Sequence, residues 1–301
     1  MTRELHHTAR VGVAGLRFGT HDRLESGDSS VKVAGKVAVV TGGGGGIGGA
    51  IARALATEGA RIVVADLDAA TAQAVVDEIN TEHPGSAVAG GGDVSDTEVI
   101  RALIALAEEK FGPVDMYFAN AGITGAPGLD ADDAAWDLSL DVNLRAHIRA
   151  AQLLVPGWAR RGEGYFVSTA SAAGLLTQIG GATYAVTKHA AVGFAEWLSV
   201  TYGDQGVKVS CLCPQGVNTK LLFPEDDSQD GLSATAMKAV TEAGDVLEPA
   251  QVAADVLAAI DDERFLILPH PKVLDMYRHK GADYDRWLRG MRRYQASLQG
   301  S

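Results

Sequence analysis

Residues 36–48 read Lys36-Val37-Ala38-Val39-Val40-Thr41-Gly42-Gly43-Gly44-Gly45-Gly46-Ile47-Gly48, and this passage decides the fold. An apolar run ends at Thr41, a glycine cluster follows, and a helical pattern then extends from Ile47 to Glu58. A buried strand, a tight turn and a helix in that order form the unit from which parallel sheets are built. The alternation continues outward. Arg61 to Asp66 reads as a second buried strand, Ala69 to Glu82 as a helix, and Ala87-Val88-Ala89 as a short strand leading into Asp93-Val94. Ser95 stands as the N-cap of a helix reaching about Phe111, and Asp115 to Asn120 forms a fourth strand that ends in Asn120-Ala121-Gly122. A long helix is expected from about Ala135 to Arg161, adjusted near Pro156, before a strand from Gly164 to Ser168. Thr183 to Tyr202 is helical and Lys208 to Cys213 is a sixth strand. Pro249 to Ile260 is a helix opened by proline, and Phe265 to Leu268 is a short seventh strand. Strands alternating with helices predict a parallel sheet covered on both faces, with binding groups gathered at the strands' carboxyl ends.

The bulk properties narrow the kind of partner. With 47% apolar and 21% charged residues the chain can bury a core and still cover its surface with charge. The formal net charge of −12 argues against nucleic acid or an anionic membrane surface as partner, because like charges repel. No apolar stretch approaches the roughly 20 residues of a membrane span, and a cytoplasmic location is expected. Cys211 and Cys213 alternate along a strand and read as core thiols, with no disulfide or metal pair expected. Residues 1–30 show no sustained period and read as a flexible extension ahead of a single domain, 31–301, that ends in an amphipathic tail from Val273 to Leu298. Asn218 to Glu248, with Glu225-Asp226-Asp227 and Gly231, is too long for a turn and reads as a lid.

Two constellations carry chemistry. Glycines between a strand and a helix let the backbone turn sharply and approach a pyrophosphate, which exposed amides and the helix dipole then hold. Asp66 ends the second strand 20 residues beyond Gly46, where a carboxylate can bind both ribose hydroxyls of NAD and repel the 2′-phosphate of NADP. The bland alternatives are a linker and a solvated strand-end acid. Farther along, Tyr184 and Lys188 open a helix four residues apart and so share a face, where the ammonium can favour the phenolate. Such a pair also occurs on ordinary helix surfaces, but Ser171 lies 13 residues earlier, just past a strand that would bring its hydroxyl to the same cleft.

In this combination the chain resembles the short-chain dehydrogenase/reductase family, in which Thr-Gly-x-x-x-Gly-Ile-Gly, Asn-Ala-Gly, Asn, Ser and Tyr-x-x-x-Lys recur in this order. The resemblance covers about Lys36 to Leu268 and implies a Rossmann-like, doubly wound sheet of about seven strands in a three-layer αβα arrangement. It also implies that Gly42, Gly46, Ile47 and Gly48 form the phosphate turn, that Asp93 and Val94 border the adenine, and that Asn120, Ala121 and Gly122 support the central sheet beside the cofactor. Tyr184 is then the general acid/base. Lys188 tunes it and binds the nicotinamide ribose, Ser171 holds the substrate oxygen, and Asn143 anchors a water in a proton relay. Pro214-Gln215-Gly216-Val217-Asn218-Thr219 is similar to the family's Pro-Gly segment, with Val217 and Thr219 as cofactor contacts and Gln215 in place of the usual glycine. The implied activity is interconversion of a secondary alcohol and a ketone with NAD, in a homotetramer or homodimer.

Two other functions share this fold: an epimerase or dehydratase, and a nucleotide-sensing regulator without turnover. The intact set of Asn143, Ser171, Tyr184 and Lys188 argues against the sensor. Leu175, Leu176, Ile179 and Leu221-Leu222-Phe223 suit an apolar substrate, or equally a loop closed onto the core. His147, His189 and His270 lack ligand-like spacing, and no metal is assigned.

Overall fold

The computed structural model describes residues 32–224 and 231–299 of the 301-residue chain. The expected extension, residues 1–30, and Glu225-Asp226-Asp227 of the expected lid lie outside the described residues.

Seven strands, β1 (Val37–Thr41), β2 (Arg61–Asp66), β3 (Ala87–Gly91), β4 (Met116–Ala119), β5 (Gly164–Thr169), β6 (Val207–Leu212) and β7 (Leu266–Ile267), form one sheet in the order β3-β2-β1-β4-β5-β6-β7. Every pairing is parallel. The strand order reverses between β1 and β4, and such a reversal opens a crevice at the carboxyl ends of the strands.

Period-two alternation divides the core into two layers. Val37, Val39 and Val63 face a cluster with Ile100 and Leu103 of α3 (Thr97–Lys110), Leu154 of α5 (Ala146–Arg161) and Ala191 of α7 (Ala182–Tyr202). Ala38, Val40 and Ile62 face the opposite layer, with Ile51 and Leu55 of α1 (Gly46–Thr57), Val75 of α2 (Ala69–Glu82) and Val256 of α9 (Pro249–Asp261). With both faces covered, β1 is an unbroken apolar run and each fully buried Val contributes about 1.5–3 kcal/mol. Between β6 and α9 the chain forms a 13-residue helix, α8 (Gly231–Ala243), so the expected lid segment is partly helical.

Two expectations need correction. The N-cap of α3 is Asp96, not Ser95: the Asp96 carboxylate accepts from the Glu98 amide at 2.8 Å, which a carboxylate does well at a helix N-terminus. The long helix is also not adjusted at Pro156. It comprises α4 (Asp133–Leu140), a π turn (Asp141–Arg145) and α5, and Pro156 sits inside α5 on its exposed side, one turn after exposed Gln152, where water can replace the missing bond. The tail folds as two helices, α10 (Lys272–Ala282) and α11 (Tyr284–Leu298). Among the described residues no helix is long and apolar enough to cross a membrane.

Candidate active site

The glycine cluster closes the turn from β1 into α1. Gly42 has φ +62°, and a Cβ there would stand 2.9 Å from Ala121 Cα; at Gly48 it would stand 2.1 Å from the Gly42 carbonyl oxygen. Neither position accepts a side chain without moving backbone. Gly45 and Gly46 are exposed, and α1 begins without a side-chain cap, so its first turn presents amides and a positive dipole end to the crevice. Asp66, at the end of β2, accepts from the Gly44 amide at 2.9 Å, which fixes one carboxylate oxygen at the rim of this turn. Asp93 accepts from the Ser95 amide at 2.8 Å, and Val94 is buried beside it. An uncapped helix terminus, a glycine turn and a rim carboxylate fit a dinucleotide without a 2′-phosphate.

Asn120 ties the two strands at the reversal point. Its side-chain amide donates to the Thr41 carbonyl at 3.0 Å, while the Thr41 hydroxyl accepts from the Asn120 and Ala121 amides at 3.0 and 3.2 Å. Gly122 follows, and a Cβ on it would lie 3.2 Å from Asn143 Oδ1 and 3.3 Å from Lys188 Nζ. The end of β4 therefore meets α7 and the π turn at one point.

The π turn presents Asn143 inward, fully buried. Its Oδ1 accepts from the Ile123 amide and its Nδ2 donates to the Ile123 carbonyl, both at 2.9 Å, with a further donation to Thr187 Oγ1 at 3.1 Å. Thr187, inside the Tyr-x-x-x-Lys motif, in turn donates to the Thr183 carbonyl at 2.8 Å. Ser171, just past β5, accepts from the Ala173 amide at 3.1 Å, and its hydroxyl lies near enough to the Tyr184 phenol to act on it. Lys188 is buried, donates to the Thr169 carbonyl at 3.0 Å and lies 5.6 Å from the Tyr184 ring centroid. The structure thus brings Asn143, Ser171, Tyr184 and Lys188 together beside Gly122.

Burial pushes the Tyr184 phenol above its usual range, and the neighbouring Ser171 hydroxyl opposes that shift. Burial also draws Lys188 down to about 8. Beneath it, Cys211 and Cys213 are fully buried free thiols with their sulfurs 3.8 Å apart. One turn after Asn143, buried His147 bonds through Nδ1 to Ser168 Oγ at 2.9 Å, and burial together with nearby Lys188 holds its pKa near 3.

Val217 is buried and pairs with Leu247, and Thr219 packs against Gly46, where a Cβ would be 3.1 Å from Thr219 Cγ2. Sequence reasoning missed Thr41, Thr187 and His270 as organisers of the site. Thr187 was visible within the motif itself, whereas the His270 contact to residue 215 joins positions that no local pattern connects.

A family model described as short chain dehydrogenase matches residues 36–230. Cyclohexanol dehydrogenase from Acinetobacter sp. is 32% identical over 233 residues, covering 77% of this chain and 90% of that protein. (+)-Borneol dehydrogenase 1 from Salvia officinalis is 30% identical over 249 residues, covering 82% and 94%. A crystal structure of a short chain dehydrogenase/reductase from Burkholderia phymatum in complex with NAD superposes with a TM-score of 0.76 at 31% identity, covering 84% of this chain and 95% of that one. This chain belongs to the short-chain dehydrogenase/reductase family and is an oxidoreductase of that class, acting on CH–OH groups.

Proposed function

We propose that the chain is an NAD(H)-dependent enzyme interconverting a secondary alcohol and a ketone on a small apolar molecule, with Tyr184 as general acid/base. The observation that carries this reading is the convergence of Ser171, Tyr184, Lys188 and Asn143 beside an uncapped glycine turn. NAD, when bound, accepts or supplies the hydride. Gly42, Gly46, Ile47 and Gly48 take the pyrophosphate, Asp66 the adenosine ribose, Asp93 and Val94 the adenine edge, and Asn120, Ala121, Gly122, Val217 and Thr219 line the remaining path. Ser171 and Tyr184 hold the substrate oxygen, Tyr184 Oη takes its proton in oxidation and returns it in reduction, and Lys188 passes that proton onward through a water anchored by Asn143. Because burial raises the phenol, oxidation gains rate toward alkaline pH, where the phenolate is present.

Leu175, Leu176 and Ile179 are buried beside Ser171, while Leu221 and Phe223 remain exposed at the start of the 218–248 segment. These side chains suit an apolar ring, and the two relatives named above are called after apolar cyclic alcohols. Residues 31–301 act as one catalytic domain in the cytoplasm, with 1–30 an extension to it, and the working form is a homotetramer or homodimer. The test is nicotinamide reduction by a panel of secondary alcohols with NAD or NADP. Turnover of apolar cyclic alcohols with NAD preferred is expected. Turnover with NADP preferred overturns the role of Asp66, and no turnover of any alcohol overturns the substrate class.

A further inference from the structure

Beyond β6, residues 214–219 touch both halves of the cleft. The Pro214 carbonyl accepts from the Ala172 amide at 2.8 Å and from Ser171 Oγ at 3.4 Å, while Thr219 at the other end packs on Gly46 of the glycine turn. The middle of this stretch is held by His270, from just beyond β7. Its Nδ1 accepts from the Gln215 amide at 3.1 Å, and its Nε2 lies 3.1 Å from the carbonyl oxygens of both Gly216 and Asp245. Only one tautomer satisfies all three partners, with the proton on Nε2 and a lone pair on Nδ1. The same place carries a backbone strap, in which Leu247 donates to the Gly216 carbonyl at 2.9 Å and Asn218 to the Leu247 carbonyl at 2.8 Å. Residues 218–248 leave and return here, so one ring joins both roots of that segment.

We propose that neutral His270 is a positioning residue that locks the 214–219 path and thereby sets cofactor affinity, and that its protonation releases the path. The affinity part rests on the NAD reading above. The groups facing the ring are the Asp245 and Asp255 carboxylates, which favour the cation, with Arg264 acting on Asp255. Burial opposes them and holds the ring below its ordinary value. A proton on Nδ1 would set one N–H against another at Gln215, so the locked state excludes the imidazolium and weakens as pH falls.

The experiment uses the full chain, from about pH 7 to about pH 4, a range carried below that of an unperturbed imidazole because burial holds this ring lower. It follows hydrogen-exchange protection of the Gln215 and Leu247 amides without cofactor, and NAD affinity by calorimetry, with the Val39 amide of β1 as a fold control. In the parent chain, protection at Gln215 and Leu247 and NAD affinity should fall together while Val39 stays protected. His270→Gln should bind NAD about tenfold more weakly near neutrality and lose the pH dependence, since it cannot titrate. Unchanged protection across the range in the parent chain overturns the proposal, and so does parental NAD affinity in His270→Gln. If neither protein binds NAD at any pH, the cofactor reading fails, and the amide protection alone decides the role of His270; it also decides if His270→Gln does not fold.

Discussion

At the scale of single residues, the site is built from polar groups that are buried and almost all partnered. Among the described residues His147 is one exception, beside Thr169 Oγ1 and Trp287 Nε1: Ser168 satisfies its Nδ1, whereas Nε2 is buried without a protein partner. With a native pKa near 3 against an ordinary 6.5, the folded state binds fewer protons than the unfolded one between those values. Stability is therefore greatest above pH 6.5 and is lost as pH falls through that window. Between about pH 7 and about pH 5 the ring should remove about 2 kcal/mol. His147→Gln carries no titrating ring, so its urea unfolding free energy should change less over this range than that of the parent, by about that amount. Equal changes in the two proteins would show that His147 is not held neutral by the fold.

At the scale of elements, α11 holds α8. Tyr294 Oη donates to the Ala239 carbonyl at 2.9 Å, and Leu298, Met291 and Tyr294 close over Ile179 and Ala239. Lys280 of α10 adds a bond to the Leu175 carbonyl at 2.6 Å, beside the loop that follows Ser171. Tyr294→Phe removes one hydrogen bond worth about 1 kcal/mol and should make the 218–248 segment about fivefold more susceptible to limited proteolysis. An unchanged cleavage rate would mean that α11 does not restrain α8. Legibility follows the range of the interactions. The β-α alternation was readable because buried strands and amphipathic helices leave local patterns, and Tyr184, Lys188 and Ser171 lie on or beside such elements. The π turn that aims Asn143 was not readable, since it inserts one residue into a helix without glycine or proline to mark it, and Pro156 drew attention to the wrong place. The helix α8 and the His270 clamp depend on contacts between distant residues and left no periodic signal.

At the scale of the whole molecule, one face of α7 is left open among the described residues. Val186, Trp197 and Val200 share that face and are 50%, 54% and 87% exposed, and Leu138 of α4 is 51% exposed. Trp197 is held by Phe194 and Tyr202, with ring centroids 6.2 and 6.0 Å away, so its exposed ring is already ordered. An ordered aromatic among exposed aliphatic side chains is the composition of an interface core. Light scattering should give a dimer or tetramer, and Trp197→Glu should dissociate it by placing a charge in that face. A monomeric parent chain would contradict the expected assembly.

The catalytic assignment concerns the whole account, because the fold, the glycine turn and the π turn all converge on one phenol. The direct measurement compares Tyr184→Phe with the parent chain on an alcohol that the parent oxidises, recording turnover together with NAD affinity. Loss of the acid/base group should lower turnover about a hundred to ten thousand fold while NAD affinity stays within a few fold, because the ring and its packing are kept. Full turnover by Tyr184→Phe would contradict the account.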